Sequence, residues 1–233
     1  VRQLVTLGTP FYGSVNAVRM LATGAGGPPP VPHRAARSLA RTCPGVYDLL
    51  PRYRCVSDPS AGTARTRRLI VADVVAAGGR LDLAEAAESA WSQLGLPGTT
   101  TPSSEVALHC VAGTDQPTVQ EFTRDSEGTH LFLESHEGSD RSGDSTVPRM
   151  SADLTGGSSS FAIAQLHGAL ARCESAMVVV TDRLRNIRTG PPLGMNIGAR
   201  IPDITPKGMP IEVLVSGTNG RPNGVSIRSV NLA

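Results

Sequence analysis

Apolar runs rich in β-branched residues alternate with Gly/Pro breaks along this chain, and their spacing predicts its elements. Residues 1–7 (Val-Arg-Gln-Leu-Val-Thr-Leu) read as a strand buried on both faces, as in a parallel sheet. Gly8-Thr9-Pro10 ends it, and Phe11-Tyr12-Gly13-Ser14 follows as a loop. Residues 17–27 are mostly small, and the Gly27-Pro28-Pro29-Pro30-Val31-Pro32 cluster predicts a surface excursion. Residues 67–77 and 81–94 have helix-compatible Ala/Leu spacing on either side of Gly78-Gly79, so they predict two helices, the second carrying Trp91. Residues 106–112 form a second apolar strand that closes on Gly113-Thr114-Asp115. Short runs at 119–122 and 130–134 flank a polar turn and predict a hairpin. Phe161-Ala162-Ile163-Ala164 is the last strand of the sheet. After it, Leu170, Cys173, Met177, Val180 and Leu184 recur every three or four residues, the pattern of an amphipathic helix packing back on that sheet. Gly190-Pro191-Pro192 stops this helix. The alternating runs at 211–215 and 225–232 then predict a β-rich, sandwich-like appendage over 191–233.

Composition narrows the function classes. A net charge of +2 is too small to argue for nucleic acid as a partner, and the basic residues are nearly all Arg, with Lys207 the only Lys. No apolar run approaches the ~20 residues that span a bilayer. The aromatic content of 3% means that the core is built from Val, Leu, Ile and Ala. Cys43 and Cys55 lie close enough in sequence to clip a loop if the chain works in an extracytoplasmic or secreted setting; the alternative is four buried thiols. The cysteines lack Cys-x-x-Cys spacing, the five histidines are scattered, and no Gly-rich phosphate loop follows a strand, so neither metal nor cofactor is expected.

The candidate chemistry lies between Gly143 and His167. An acid in a Gly-rich turn, followed by a lone His at a helix start, supplies two members of a Ser-His-Asp relay. A serine hydroxyl is a weak nucleophile at its own pKa, so it needs a base to take its proton and an acid to orient that base. Three acids compete for the last role: Asp144 in Gly-Asp-Ser-Thr-Val-Pro, Asp115 directly after the second strand, and Asp140 in Gly-Ser-Asp. His167 is the base, because His33, His109, His130 and His136 lack a comparable setting; its plain alternative is a helix-start residue. Ser14 follows a glycine, but Tyr12 and Asn16 stand where a nucleophile elbow needs glycines, so it reads as a turn serine or a cap. The sequence contains no Gly-x-Ser-x-Gly.

Four stretches together resemble the lecithin:cholesterol acyltransferase-like family of α/β-hydrolases over residues 1–187. They are Leu-Gly-Thr-Pro-Phe-Tyr-Gly-Ser (7–14), Tyr-Asp-Leu-Leu-Pro (47–51), Gly-Asp-Ser-Thr-Val-Pro (143–148) and His-Gly-Ala-Leu (167–170). The acid turn departs mildly from the family's usual Gly-Asp-Gly-Thr-Val-Pro, with Ser145 in place of the middle glycine. The resemblance implies the C-terminal part of an α/β-hydrolase domain over 1–190, a mostly parallel sheet flanked by helices, with a cap region at about 15–100. It favours Asp144 over Asp115 and Asp140, and places the nucleophile and oxyanion hole upstream of Val1. It implies an ester hydrolase or O-acyltransferase acting on lipid or other acyl esters, with peripheral contact to a lipid surface. These 233 residues alone are then expected to be inactive. The competing expectation is a non-catalytic scaffold or surface-binding protein derived from a hydrolase.

Overall fold

The computed structural model describes residues 3–27, 30–58, 65–94, 106–154, 160–187, 197–200 and 214–217. The first half of the chain runs β1 (Gln3–Leu7), α1 (Val15–Thr23), α2 (His33–Ala40), α3 (Pro44–Asp48), β2 (Arg54–Ser57), β3 (Thr66–Arg68), α4 (Val71–Ala76) and α5 (Leu81–Leu94). Next come β4 (Ala107–Thr114), β5 (Glu121–Arg124), β6 (His130–Leu133), β7 (Ser160–Ala164), α6 (Glu174–Leu184), β8 (Ile197–Arg200) and β9 (Leu214–Gly217). Short 3-10 turns occupy Arg149–Ser151 and His167–Arg172.

The fold is α/β. Strands β1, β4 and β7 make a parallel sheet with β4 in the centre, in a register that sets Leu7 beside Val111 and Val111 beside Phe161. On one face Val5, Leu7, Val111, Phe161 and Ile163 pack against Leu170, Ala176 and Val179, so α6 folds back onto the sheet. A second sheet, ordered β3-β2-β5-β6, shares a larger core with α1, α2, α3, α4 and α5 built around Leu21, Tyr47, Val56, Val74 and Phe122. Strands β8 and β9 pair antiparallel inside the segment expected to be β-rich. The expected run at 225–232 lies outside the described residues.

Several expectations change. Two-sided burial describes the centre of β4 but not β1, where Leu4 is 48% exposed because β1 is the edge of the described sheet. Residues 17–23, read from the sequence only as a run of small residues, belong to α1, which Ser14 caps and Gly24 ends in a left-handed conformation. Residues 66–68 are strand and not helix, because β3 pairs with β2; helix α4 starts at Val71. The helix expected from 168 is a 3-10 turn first and becomes α-helical at Glu174. The hairpin β5–β6 forms as expected, pairing Glu121 with Leu133 and Arg124 with His130. Cys43 and Cys55 are not bonded: Cys43 is exposed before α3, whereas Cys55 lies in the larger core.

Candidate functional site

The three parallel strands end on the same side, and the chain segments leaving them converge there. Ligands in open α/β sheets gather at the carboxyl ends of strands, because the loops that change direction there are free to carry polar groups. Here β1 ends on Leu7, just before Gly8, β4 ends on Thr114, and β7 ends on Ala164, a short link before His167. Asp144 reaches the same edge after the β5–β6 excursion. Its turn closes beside the end of β4, with Gln116 bridged to Asp144 and the Gln116 N–H donating to the Gly143 carbonyl (3.0 Å).

Asp144 is fully buried, and a buried carboxylate is tolerable only when its lone pairs are occupied. Its Oδ1 accepts the backbone N–H groups of Thr146 (3.0 Å) and Val147 (2.7 Å). Its Oδ2 accepts from Nδ1 of His167 (2.8 Å), and the His167 backbone N–H donates to the Asp144 carbonyl (2.9 Å). Two bonds therefore hold the imidazole, one to the ring and one to its own main chain. The Asp144 hydrogen bond raises the His167 pKa above the ordinary imidazole value, against the opposing pull of burial and with added help from the carboxylate charge. The His167 side chain is 36% exposed, and Nε2 has no hydrogen-bond partner among the described residues. An imidazole tied at Nδ1 and open at Nε2 is arranged to exchange a proton with whatever approaches that second nitrogen.

Two glycines make room for this pair. Gly8 has φ +59, and a Cβ there would lie 2.9 Å from Asp144 Oδ2 and 3.0 Å from His167 Nδ1. A Cβ on Gly113 would stand 2.4 Å from the Asp144 Cβ. The turns around the acid also adopt costly backbone conformations. Asp115, Ser142 and Ser145 have left-handed φ values of 59–76°, and among the described residues only Glu137 and Asn186, away from the acid, join them as non-glycines. Each such residue costs on the order of 1–3 kcal/mol and tends to occur where function holds it. Ser145, at φ 76, occupies the position where Gly would be conformationally natural.

The rival acids build the frame and do not meet the imidazole. The Asp115 N–H donates to Ser142 Oγ (2.7 Å), and its Oδ2 accepts from Thr114 Oγ1 (3.0 Å). Asp140 Oδ1 accepts from Gln120 Nε2 (2.6 Å) and from the Ser142 N–H (2.7 Å). Other histidines have their own settings. His33 is exposed at the start of α2, His130 stacks on Phe132, and His136 Nε2 donates to the Arg54 carbonyl (2.7 Å). His109 lies mid-strand in β4, and burial, with the Arg183 charge, lowers its pKa. Ser14 is the N-cap of α1, its Oγ accepting from the Asn16 N–H (3.2 Å). Ser14 was visible in the sequence as a turn residue, whereas Thr118 was not visible at all. The buried Thr118 Oγ1 accepts the Ser145 N–H (2.8 Å) and donates to the Gln116 carbonyl (2.7 Å).

The four sequence stretches singled out above pack on one another. The Ser14 N–H donates to the Leu49 carbonyl (2.8 Å), and the Arg52 N–H to the Tyr12 carbonyl (2.8 Å), joining the first stretch to the second. Ser14 Oγ donates to the Thr146 carbonyl (2.5 Å), joining the first to the third, and Gly8 abuts Leu170 of the fourth. Among the described residues, no group of three or more His, Cys, Asp or Glu is placed to hold a metal ion, and no helix is long and apolar enough to cross a membrane. No protein-family model matches this chain, and no curated protein does.

Proposed function

We propose that Asp144 and His167 are the acid and the general base of a Ser-His-Asp relay in an α/β-hydrolase-type ester hydrolase or O-acyltransferase. The observation that carries this reading is the pair itself: a fully buried carboxylate bonded to Nδ1 of an imidazole whose Nε2 is open at the carboxyl edge of a parallel sheet. Convergence of the four stretches and the left-handed turn residues around the acid support it. The reading places the nucleophilic serine outside these 233 residues, because they contain no Gly-x-Ser-x-Gly.

In this mechanism His167 Nε2 takes the serine proton as the oxygen attacks the ester carbonyl, and returns it to the departing alcohol. The acyl-enzyme then passes to water or to an acceptor alcohol, whose proton follows the same route. Asp144 keeps the neutral ring in its Nδ1–H tautomer and stabilises the imidazolium between these steps. The substrate class is an acyl ester, including lipid esters. Product analysis with and without an acceptor alcohol assigns hydrolase or acyltransferase.

The test reads the coding sequence upstream of Val1 for a Gly-x-Ser-x-Gly and compares this chain with the polypeptide that includes it. The 233-residue chain is expected to leave p-nitrophenyl esters at background. The longer protein is expected to turn them over, and to lose about 10⁴-fold in kcat with D144N and about 10⁶-fold with H167A. Turnover by the longer protein that survives H167A, or a silent longer protein, overturns the reading; the second outcome favours a non-catalytic scaffold.

A further inference from the structure

We infer that Ser14 and Asn16, at the start of α1, are positioning residues for the acid: they grip the turn that aims Asp144 at His167. This rests on the acyl-transfer reading for its purpose, though not for its geometry.

Ser14 Oγ donates to the Thr146 carbonyl (2.5 Å), while Asn16 Nδ2 donates to the carbonyls of Ser145 (3.2 Å) and Thr146 (3.1 Å). The identity of those two carbonyls is what matters. The Ser145 carbonyl shares a peptide plane with the Thr146 N–H, and the Thr146 carbonyl shares one with the Val147 N–H. In a trans peptide the C=O and N–H point in opposite directions, so fixing the oxygen fixes the aim of the hydrogen. Those two N–H groups are the ones that hold Asp144 Oδ1. Two peptide planes are thus clamped from outside by α1 and from inside by the carboxylate. A carbonyl that accepts a hydrogen bond also polarises its own N–H, so each clamp strengthens the donor facing the acid.

Asn16 has no better local reason to be where it is. Asn is a poor helix former, because its side chain competes for backbone groups. Its Oδ1 is buried and meets no donor among the described residues, so the side-chain bonds of Asn16 all go to this turn. Thr118 holds the same turn from the other side through the Ser145 N–H. With Oδ1 gripped by two amides, the carboxylate cannot swing, and Oδ2 stays on His167 Nδ1.

The test reads the ring by nitrogen and proton NMR in the full 233-residue chain. In the wild type, neutral His167 is expected as the Nδ1–H tautomer, with a protected Nδ1 proton. N16A and the similarly sized N16L should both move the ring toward the Nε2–H tautomer and speed Nδ1 proton exchange about tenfold. S14A should do the same with an added loss of Tm, because it also removes the helix cap, and S14T should restore wild-type behaviour. T23A is the control, since Thr23 bonds the Arg19 carbonyl in the same helix and does not touch the turn. A wild-type tautomer and exchange rate in both N16L and S14A, whatever their Tm, would overturn the inference even if N16A failed to fold. The readout needs no turnover. A silent enzyme with a responsive ring sinks the acyl-transfer reading alone, and an unresponsive ring in an active enzyme sinks this one alone.

Discussion

Tyr47 and Phe122 leave solvent almost completely, whereas Leu4 on the edge strand β1 and Leu184 at the end of α6 stay exposed. Tyr47 is 0% exposed and Phe122 is 1% exposed, in a core shared by five helices and a four-stranded sheet. In the parallel-sheet region, Leu4 is 48% exposed and Leu184 61% exposed, and α6 packs on a single face. The proposed chemistry nevertheless belongs to the thinner region. Depth of apolar packing is therefore not what holds the acid turn in place. Turns that bond across regions do that: Ser14 and Asn16 of α1 hold the acid turn on one side, and Thr118 holds it on the other. The well-packed region contributes to the site by lending it a fixed point.

The largest effect expected from this contrast concerns Tyr47. Removing a buried aromatic side chain costs about 3–5 kcal/mol, whereas Ile→Val in a core costs about 0.5–1.5 kcal/mol. Tyr47→Ala should fall at or above the upper range, because the Tyr47 hydroxyl also donates to the Arg41 carbonyl and accepts from the Arg80 N–H (2.8 Å each). Ile163→Val in the parallel sheet should stay in the lower range. Urea unfolding of both variants checks the ranking, and equal losses would dissolve the comparison.

Gly8→Ala tests the junction. Left-handed backbone costs an alanine about 1–2 kcal/mol, and the new Cβ would also press on Asp144 Oδ2 and His167 Nδ1. Gly26→Ala is the control, since Gly26 has φ +87 with nothing within 4 Å of a Cβ. Gly8→Ala should destabilise more than Gly26→Ala and shift the His167 ring resonances. Identical unfolding curves and an unmoved ring would show that the strand end does not crowd the pair.

The smallest effect is the pH dependence of stability. The folded His167 pKa lies above its unfolded value of about 6.5. Its bond to Asp144 thus contributes fully below that value and fades as pH rises through the folded pKa. His109 and His130 act with the opposite sign, because burial is the first cause holding both down. The clean measurement is the Cm of wild type minus that of H167Q from pH 5.5 to 8.5, where these other histidines cancel. The difference should fall as pH rises; a rise would mean that the ring is not held by the carboxylate.

Much of the secondary structure was legible. Strands β1, β4 and β7, helix α5 and the β5–β6 hairpin follow from runs whose period suffices to name them. Helix α1 was hidden by small residues, although Val15, Val18 and Leu21 recur every three positions between the cap Ser14 and Gly24. Strand β2, Arg54-Cys55-Val56-Ser57, is too short and polar to announce itself, and forms because β3 and β5 pair with it. That pairing also draws residues 66–68 out of the helix their composition suggests. Local pattern loses wherever a partner strand supplies hydrogen bonds that a helix would otherwise provide.

Residue order alone names the groups available: one His just after the last parallel strand, three acids in turns before it, and no elbow serine. The resemblance favoured Asp144 among them, and the contact itself is made by the tertiary structure. Asp115 is nearer in sequence to a core strand, but its carboxylate is bonded to Thr114; the hairpin excursion brings the chain back so that Asp144 sits under the imidazole. The peptide planes that face Asp144 are bonded on their other side by Asn16 of α1, about 130 positions away. A hydrogen bond selects by position in space, and only folding brings such distant residues together.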